Sequence, residues 1–344
     1  MSIGLKLRRD SDDRPILGIT MGDPAGIGPE VIAKALAQRS VRALCRPIVI
    51  GSHPVMDATM QSLGLRLRPV AVHGHAQRWT GSEVPVLDPL ERPLGRFRAG
   101  AVSQRTGAAS VAFIETAVRL AQAGCIDAIV TGPINKEAIN LAGCPYPGHT
   151  ELLAALTKAK ESGMMIIGGP LKIMFTTTHV AMKDLSETLT IDLVLRRIRL
   201  ANRGLREYFG LKKPRIGVAA LNPHAGESGL FGDEERSIIG PASRHARRAG
   251  IQASDPLPAD TLFGKAARGE YDGVVAMYHD QGLIPLKLVA FGTCVNLTIG
   301  LPIIRTSVDH GTAYDIVGQG VADPGSLIEA ITLAANLASR RRHG

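Results

Sequence analysis

The chain has 344 residues, of which 45% are apolar, 21% charged and only 4% aromatic, and its formal net charge is +9. This balance excludes a disordered, collagen-like or coiled-coil chain and leaves room for about two domains at roughly 150 residues each. So few rings also argue against a nucleic-acid reader, which stacks bases on aromatics; a mild positive excess suits a small anionic substrate instead.

The first residues, MSIGLKLRRDSDDRP, are charged and lack the apolar stretch of a secretory signal. β-rich segments are predicted at 15–20, 47–51, 127–131, 171–177, 215–221, 273–278 and 295–299. Ala/Leu/Arg-rich segments with helical spacing lie between them, at 101–123, 190–208, 233–249 and 325–341. Continuous apolar strands separated by helices predict an α/β fold with mostly parallel sheets covered on both faces. The segment MGDPAGIGPE (21–30) reads as a Gly-rich turn from the first strand into a helix. The basic stretch LRRIRLANRGLR (195–206) reads as a solvated helix face. The longest apolar run, Met164 to Phe175, is broken by Lys172, so no membrane span of about 18 residues is expected. Cys45, Cys125, Cys144 and Cys294 form no CxxC pair, which fits a reduced, cytoplasmic setting.

Three predicted strands run out into loops that carry a histidine: LKIMFTTTHV ends near His179, RIGVAALNPHAGE near His224, and YDGVVAMYHDQG near His279. Ligands of open α/β sheets bind beyond the carboxyl ends of strands. Three imidazoles there form the ligand set of a catalytic divalent metal, with coordination positions left open for substrate. One such histidine alone reads as a hydrogen-bonded loop residue. All three together, beside Asn222, Glu227, Asp280 and Gln281, favour the metal.

Two further features suit an anion. His149 and Thr150 stand at a predicted helix start, where free N–H groups and the helix dipole attract phosphate or carboxylate, although plain capping by Thr150 explains the same residues. Lys287, Asn296 and Arg305 lie in later polar loops or strand tips. An arginine in an apolar context wants an anionic partner, whether substrate or salt bridge. Neither GxGxxG nor a Walker A motif occurs, so spacing alone does not indicate a dinucleotide site.

The segments ITMGDPAGIGPE, TGPINKEA, YPGHTELL, TTTHVAM, LNPHAGESGLFGDEE, PADTLF, AMYHDQGLIPLK and VNLTIGLPIIRTSVDHGTAYDI together resemble the 4-hydroxythreonine-4-phosphate dehydrogenase (PdxA-type) family from about Pro15 to Leu337. The resemblance implies a two-domain α/β/α subunit of isocitrate/isopropylmalate dehydrogenase type. On that plan residues 15–140 with 306–344 form one domain and 141–305, with the histidines, the other. It also implies a homodimer, with the active site in the interdomain cleft at the subunit interface and ligands from both subunits. Matched by motif, His179, His224 and His279 are the implied ligands of one divalent ion (Zn, Mg or Co). His149, Thr150, Lys287, Asn296 and Arg305 match substrate-binding positions, and Asp260 or Lys287 is the implied proton-transfer group. Residues 309–324 also look like the nucleotide loop of isocitrate and isopropylmalate dehydrogenases, implying an NAD site (NADP as an alternative) at His310, Gly311, Thr312, Ala313 and Asp315.

The implied reaction is oxidation and decarboxylation of a 4-phosphorylated 3-hydroxy acid. The first expectation is 4-phosphooxy-L-threonine, in pyridoxal phosphate biosynthesis. The motifs GESGLFGDEE and HDQGLIPLK are closer to a second branch acting on 4-phospho-D-threonate or 4-phospho-D-erythronate in sugar-acid catabolism. A third branch, oxidising cis-dihydrodiols of aromatic acids such as terephthalate, tends to lack the GHTE and IRTS residues present here. A non-catalytic phospho-acid binder is a further alternative. No nucleic-acid or membrane partner is expected.

Overall fold

The computed structural model describes residues 12–72 and 81–343. Most of the charged N-terminal stretch read above as lacking a secretory signal lies outside the described residues. The chain divides into two compact units. Unit 1 comprises residues up to Lys160 together with Leu301 onward, and unit 2 comprises Glu161–Gly300.

Unit 1 begins with β1 (Ile16–Thr20), α1 (Gly28–Ala37), α2 (Arg39–Leu44), β2 (Arg46–Ile50), α3 (His53–Ser62), β3 (Arg68–Ala71) and β4 (Glu83–Leu87). It continues through α4 (Gln104–Gln122), β5 (Ala128–Thr131), α5 (Lys136–Leu141) and α6 (His149–Thr157). Unit 2 follows with β6 (Gly163–Gly168), β7 (Leu171–Phe175), α7 (Leu185–Thr188), α8 (Ile191–Phe209) and β8 (Arg215–Ala219). After a π-turn at Glu235–Ile239 come α9 (Gly240–Arg248), β9 (Gln252–Leu257), α10 (Ala259–Ala267), β10 (Gly273–Ala276), α11 (His279–Ala290) and β11 (Val295–Ile299). The chain then returns to unit 1 as β12 (Arg305–Ser307) and α12 (Gly325–His343).

In unit 1 the strand order is β3-β4-β2-β1-β5-β12, and every pair is parallel. The central strands are buried throughout, as ILGIT and AIVT show, because helices cover both faces and no position can face water. In unit 2 the order is β11-β6-β7-β10-β8-β9. There β7, β10, β8 and β9 are parallel, while β11–β6 and β6–β7 are antiparallel. The mostly parallel α/β architecture expected from the sequence is therefore what the chain adopts. Among the described residues no helix is long and apolar enough to cross a membrane, and none of the four cysteines is in a disulfide.

The observed boundary differs from the one drawn from the family plan. Residues 141–160 and 301–305 belong to unit 1, because α6 packs on α4 and β12 pairs with β5. His149 and Arg305 thus sit in the same unit. Five strands were not expected: β3, β4, β6, β9 and β12. β6 and β7 hide inside one apolar run, folded back by a two-residue turn whose Gly169 has φ +52°. β9 (QASDPL) reads as polar and contains a proline, and β12 has only three residues. The helix expected at 233–249 is a π-turn followed by α9.

The basic stretch lies on α8, which Thr190 caps by accepting the Leu193 N–H and which Gly210 ends in the left-handed conformation. Leu195, Ile198, Ala201 and Leu205 are its buried stripe. Arg197 departs from the solvated reading: it is half-buried and donates to the Ser162 carbonyl at 2.7 Å. A core of Ile173, Phe175, Ala219, Leu262, Val274, Ala276 and Leu286 joins β7, β8 and β10 to α10 and α11. Burial of each large member stabilises by about 1.5–3 kcal/mol. This packing fixes the carboxyl ends of the three neighbouring strands that precede the histidines.

Candidate active site

β10 lies between β7 and β8, so the parallel register brings the loops after all three strands to one edge of unit 2. His179 follows β7, His279 opens α11 after β10, and His224 follows β8. The first two meet: their ring centroids are 6.2 Å apart with planes tilted by 36°. A centroid lies about 3.2 Å from an ion ligated by that ring, so two rings on one ion stand about 5.2 Å apart at the tetrahedral angle and about 6.4 Å at the linear limit; the observed separation lies between the two. His279 Nδ1 is 2.6 Å from Asp280 Oδ1, so the carboxylate orients the ring and Nε2 is the nitrogen left available to a ligand. The segments are tied together from beneath. Thr177 Oγ1 donates to the Met277 carbonyl at 2.8 Å, and the buried Gln281 donates to the Ala220 carbonyl at 2.6 Å while accepting the Met277 N–H at 2.7 Å.

His224 does not join them within one chain. Its ring lies near Phe231, at a centroid distance of 6.4 Å. Among the described residues no three His, Cys, Asp or Glu side chains gather to hold a metal ion. The reason is local. His224, Ala225, Gly226, Glu227, Ser228 and Gly229 all have positive φ, a left-handed turn six residues long. Such a conformation costs about 1–2 kcal/mol for each non-glycine residue. Gly226 is the member that must be glycine, since a Cβ there would sit 2.7 Å from Glu235 Oε2. The turn itself is largely exposed, so packing does not hold it.

Unit 1 carries a different arrangement. Arg305, 1% exposed on β12, donates from Nε and Nη2 to Thr131 Oγ1 at 3.1 and 2.7 Å. Burial pushes its guanidinium down to about 9. His149 is the first residue of α6, and its Nε2 is buried with no hydrogen-bond partner. Burial, reinforced by the positive Arg305, holds the His149 imidazole well below its usual range. Thr150 does not cap the helix: the N-cap is Gly148, without a side-chain hydrogen bond, so no side chain caps the first-turn N–H groups. A neutral imidazole, a buried guanidinium and an uncapped helix start are three donors with a shared preference for an oxyanion.

Lys287 and Asn296 lie in unit 2, on α11 and β11, and Asn296 Oδ1 is buried without a hydrogen-bond partner. Asp260 is exposed at the start of α10, where its Oδ1 accepts the Thr261 N–H at 2.9 Å.

The residues His310, Gly311, Thr312, Ala313 and Asp315 form a loop in unit 1 that is stitched to the Gly-rich turn 21–30. The Ile27 N–H donates to the Thr312 carbonyl at 3.0 Å and the Tyr314 hydroxyl to Asp23 at 2.7 Å. Gly26 permits this contact, since a Cβ there would lie 2.9 Å from Thr312 Cβ. Farther along, the Ala322 N–H donates to Glu30. His310 Nε2 is buried and has no hydrogen-bond partner. Sequence reading treated these two segments separately; Asp23 and Tyr314 are the side chains that join them. It also passed over Thr131, which steadies Arg305, and Glu235, which lies inside the quoted GDEE run.

The family described as pyridoxal phosphate biosynthetic protein PdxA matches residues 43–334. The chain is 49% identical over 331 residues to the 4-hydroxythreonine-4-phosphate dehydrogenase of Desulfosudis oleivorans, covering 95% of this chain and 97% of that one. It is 47% identical over 339 residues to the D-threonate 4-phosphate dehydrogenase of Cupriavidus necator, covering 96% and 99%. Among solved structures, the 4-hydroxythreonine-4-phosphate dehydrogenase of Klebsiella pneumoniae superposes with a TM-score of 0.88 at 41% identity, covering 96% of this chain and 100% of that one. The chain therefore belongs to the PdxA family of dehydrogenases.

Proposed function

We propose that the protein is an NAD-dependent, divalent-metal-dependent dehydrogenase that oxidises and decarboxylates a 4-phosphorylated 3-hydroxy acid, with 4-phosphooxy-L-threonine as first substrate. The observation that carries this reading is the pairing of His179 and His279 at neighbouring strand ends, at a separation that allows one ion between them. His179, His224 and His279 hold the metal (Zn, Mg or Co), with ligands drawn from two copies of the chain. Support for a homodimer comes from α11 and the residue that ends it: Ile284 and Leu288, one turn apart on the helix, are 61% and 82% exposed, and Phe291, just past its last residue, is 84% exposed. His279 opens the same helix. The loop of His310, Gly311, Thr312, Ala313 and Asp315 takes the dinucleotide, NAD before NADP, and the orphaned His310 Nε2 offers it a polar partner. The enzyme works in the cytoplasm.

When bound, NAD supplies a hydride acceptor and the metal a Lewis acid at the substrate's C3 oxygen. The chain's own residues bind and orient. His149, Thr150 and Arg305 hold phosphate in a water-poor corner, where charge-assisted hydrogen bonds are strong. Lys287 and Asn296 add donors to the substrate. Asp260 or Lys287 takes the C3 hydroxyl proton and returns a proton to carbon after the β-keto acid loses CO2.

A second reading, 4-phospho-D-threonate or 4-phospho-D-erythronate, is favoured by GESGLFGDEE and HDQGLIPLK. The GHTE and IRTS residues, which include His149, Thr150 and Arg305, favour a phosphorylated substrate over an aromatic dihydrodiol. NADH absorbance with each phospho-acid, in the presence of Zn, Mg or Co, tests the proposal. Turnover of 4-phosphooxy-L-threonine at higher kcat/KM than 4-phospho-D-threonate is expected. The reverse order establishes the catabolic reading, and no turnover with any phospho-acid contradicts both.

A further inference from the structure

Glu235 accepts three hydrogen bonds from the loop after β8. It is 8% exposed, inside the π-turn Glu235–Ile239. Its Oε1 accepts the Leu221 and Asn222 N–H groups at 2.8 and 2.7 Å. Its Oε2 accepts from Asn222 Nδ2 at 3.0 Å and stands where a side chain on Gly226 would be. Asn222 Nδ2 also donates to Glu234 at 2.6 Å, and Glu234 accepts from Ser186, in the helix that follows the His179 loop. The carboxylate therefore grips the entrance of the left-handed turn and its one buried member. Of the rest of the turn, His224, Glu227 and Ser228 are exposed and Ala225 is half-buried, and the His224 ring lies beside the exposed Phe231.

We propose that Glu235 is the positioning residue for His224. By pinning Leu221, Asn222 and the space above Gly226, it keeps His224 at φ +51° and so directs the imidazole as a metal ligand. Without it, four non-glycine residues are free to relax toward right-handed backbone, which turns the Cα–Cβ bond of His224 elsewhere. π-turns recur at functional sites, and here the π-turn presents the carboxylate to the loop. This inference rests on the metal reading above.

The test uses Co2+ alone as probe, titrated into the full-length protein by calorimetry and by visible absorption, without substrate or NAD. Glu235→Ala is expected to weaken Co2+ binding about 10- to 100-fold, the usual effect of losing a group that orients a ligand, and to change the cobalt spectrum at saturation. Glu235→Gln keeps the acceptor for the two backbone N–H groups and is expected to recover most of the affinity. If Glu235→Ala does not fold, Gly226→Ala is the second variant. It forces a methyl against Glu235 Oε2 and is expected to show the same loss. His224→Ala separates the two ideas. If it binds Co2+ like wild type, the metal reading falls and this inference with it. If it loses Co2+ while Glu235→Ala, or in its place Gly226→Ala, keeps wild-type affinity and spectrum, the positioning role is overturned and the metal reading stands.

Discussion

Arg305 is buried, with the half-buried His149 turning a buried Nε2 inward in the same unit, whereas the histidine edge of unit 2 is open and holds only two of its three rings together in one chain. In the first region folding itself desolvates Arg305, so the phosphate of the proposed substrate would meet a preorganised, weakly hydrated guanidinium. In the second, strand order brings the loops to one edge, and on the proposed reading the third imidazole comes from a second copy. The anion corner should therefore respond to mutation through substrate affinity and stability. The histidine edge should respond through metal affinity and assembly.

The largest effect that sharpens this contrast is expected from Leu288→Glu, which places a charge among the exposed apolar residues of α11. Sedimentation should show loss of the dimer, and Co2+ affinity should fall more than the roughly 100-fold expected for loss of an outer partner alone. An intact dimer with unchanged affinity would break the comparison. A smaller effect is expected for Arg305→Lys, which cannot reproduce the fork on Thr131. The loss of charge-assisted hydrogen bonding, about 1.5–3 kcal/mol, predicts a KM for the phospho-acid raised roughly 10- to 100-fold, with Co2+ affinity unchanged.

The smallest effect is one of pH. His149 is held below its ordinary value of 6.5 in the folded protein. As pH falls through that value, the unfolded chain takes up a proton that the folded chain refuses. Folding stability therefore decreases as pH falls, until the depressed folded value is reached. His149→Gln should flatten this part of a plot of Tm against pH. Inorganic phosphate should have the opposite influence on wild type by favouring the charged imidazole, measured as proton uptake on binding.

The sequence revealed the histidines because each follows an apolar strand, and parallel sheets put strand ends together. His149 and Arg305 were legible from the helix start and from an arginine in apolar surroundings, though not their neighbourhood. That depends on β12, three residues long, pairing with β5. The left-handed turn was invisible, because four residues of HAGESG are not glycine and nothing local signals a run of positive φ angles; Glu235, which accepts the Leu221 and Asn222 N–H groups at the entrance of the turn, comes only after it in the chain. The stitching of the 21–30 turn to the 309–324 loop was hidden for a similar reason: Asp23 and Tyr314 meet across nearly the whole sequence.

The most direct test of a metal site shared between copies is to mix two inactive proteins. His224→Ala and His179→Ala homodimers are denatured together, refolded with Co2+ and assayed. Because His179 and His279 lie together in one chain, a mixed dimer has one intact site built from His179 and His279 of the first variant and His224 of the second. About half the dimers are mixed and each has half its sites, so about a quarter of wild-type turnover should return. A His179→Ala and His279→Ala mixture should stay inactive. If the first mixture also stays inactive although mixed dimers form, the three imidazoles do not share an ion across two chains.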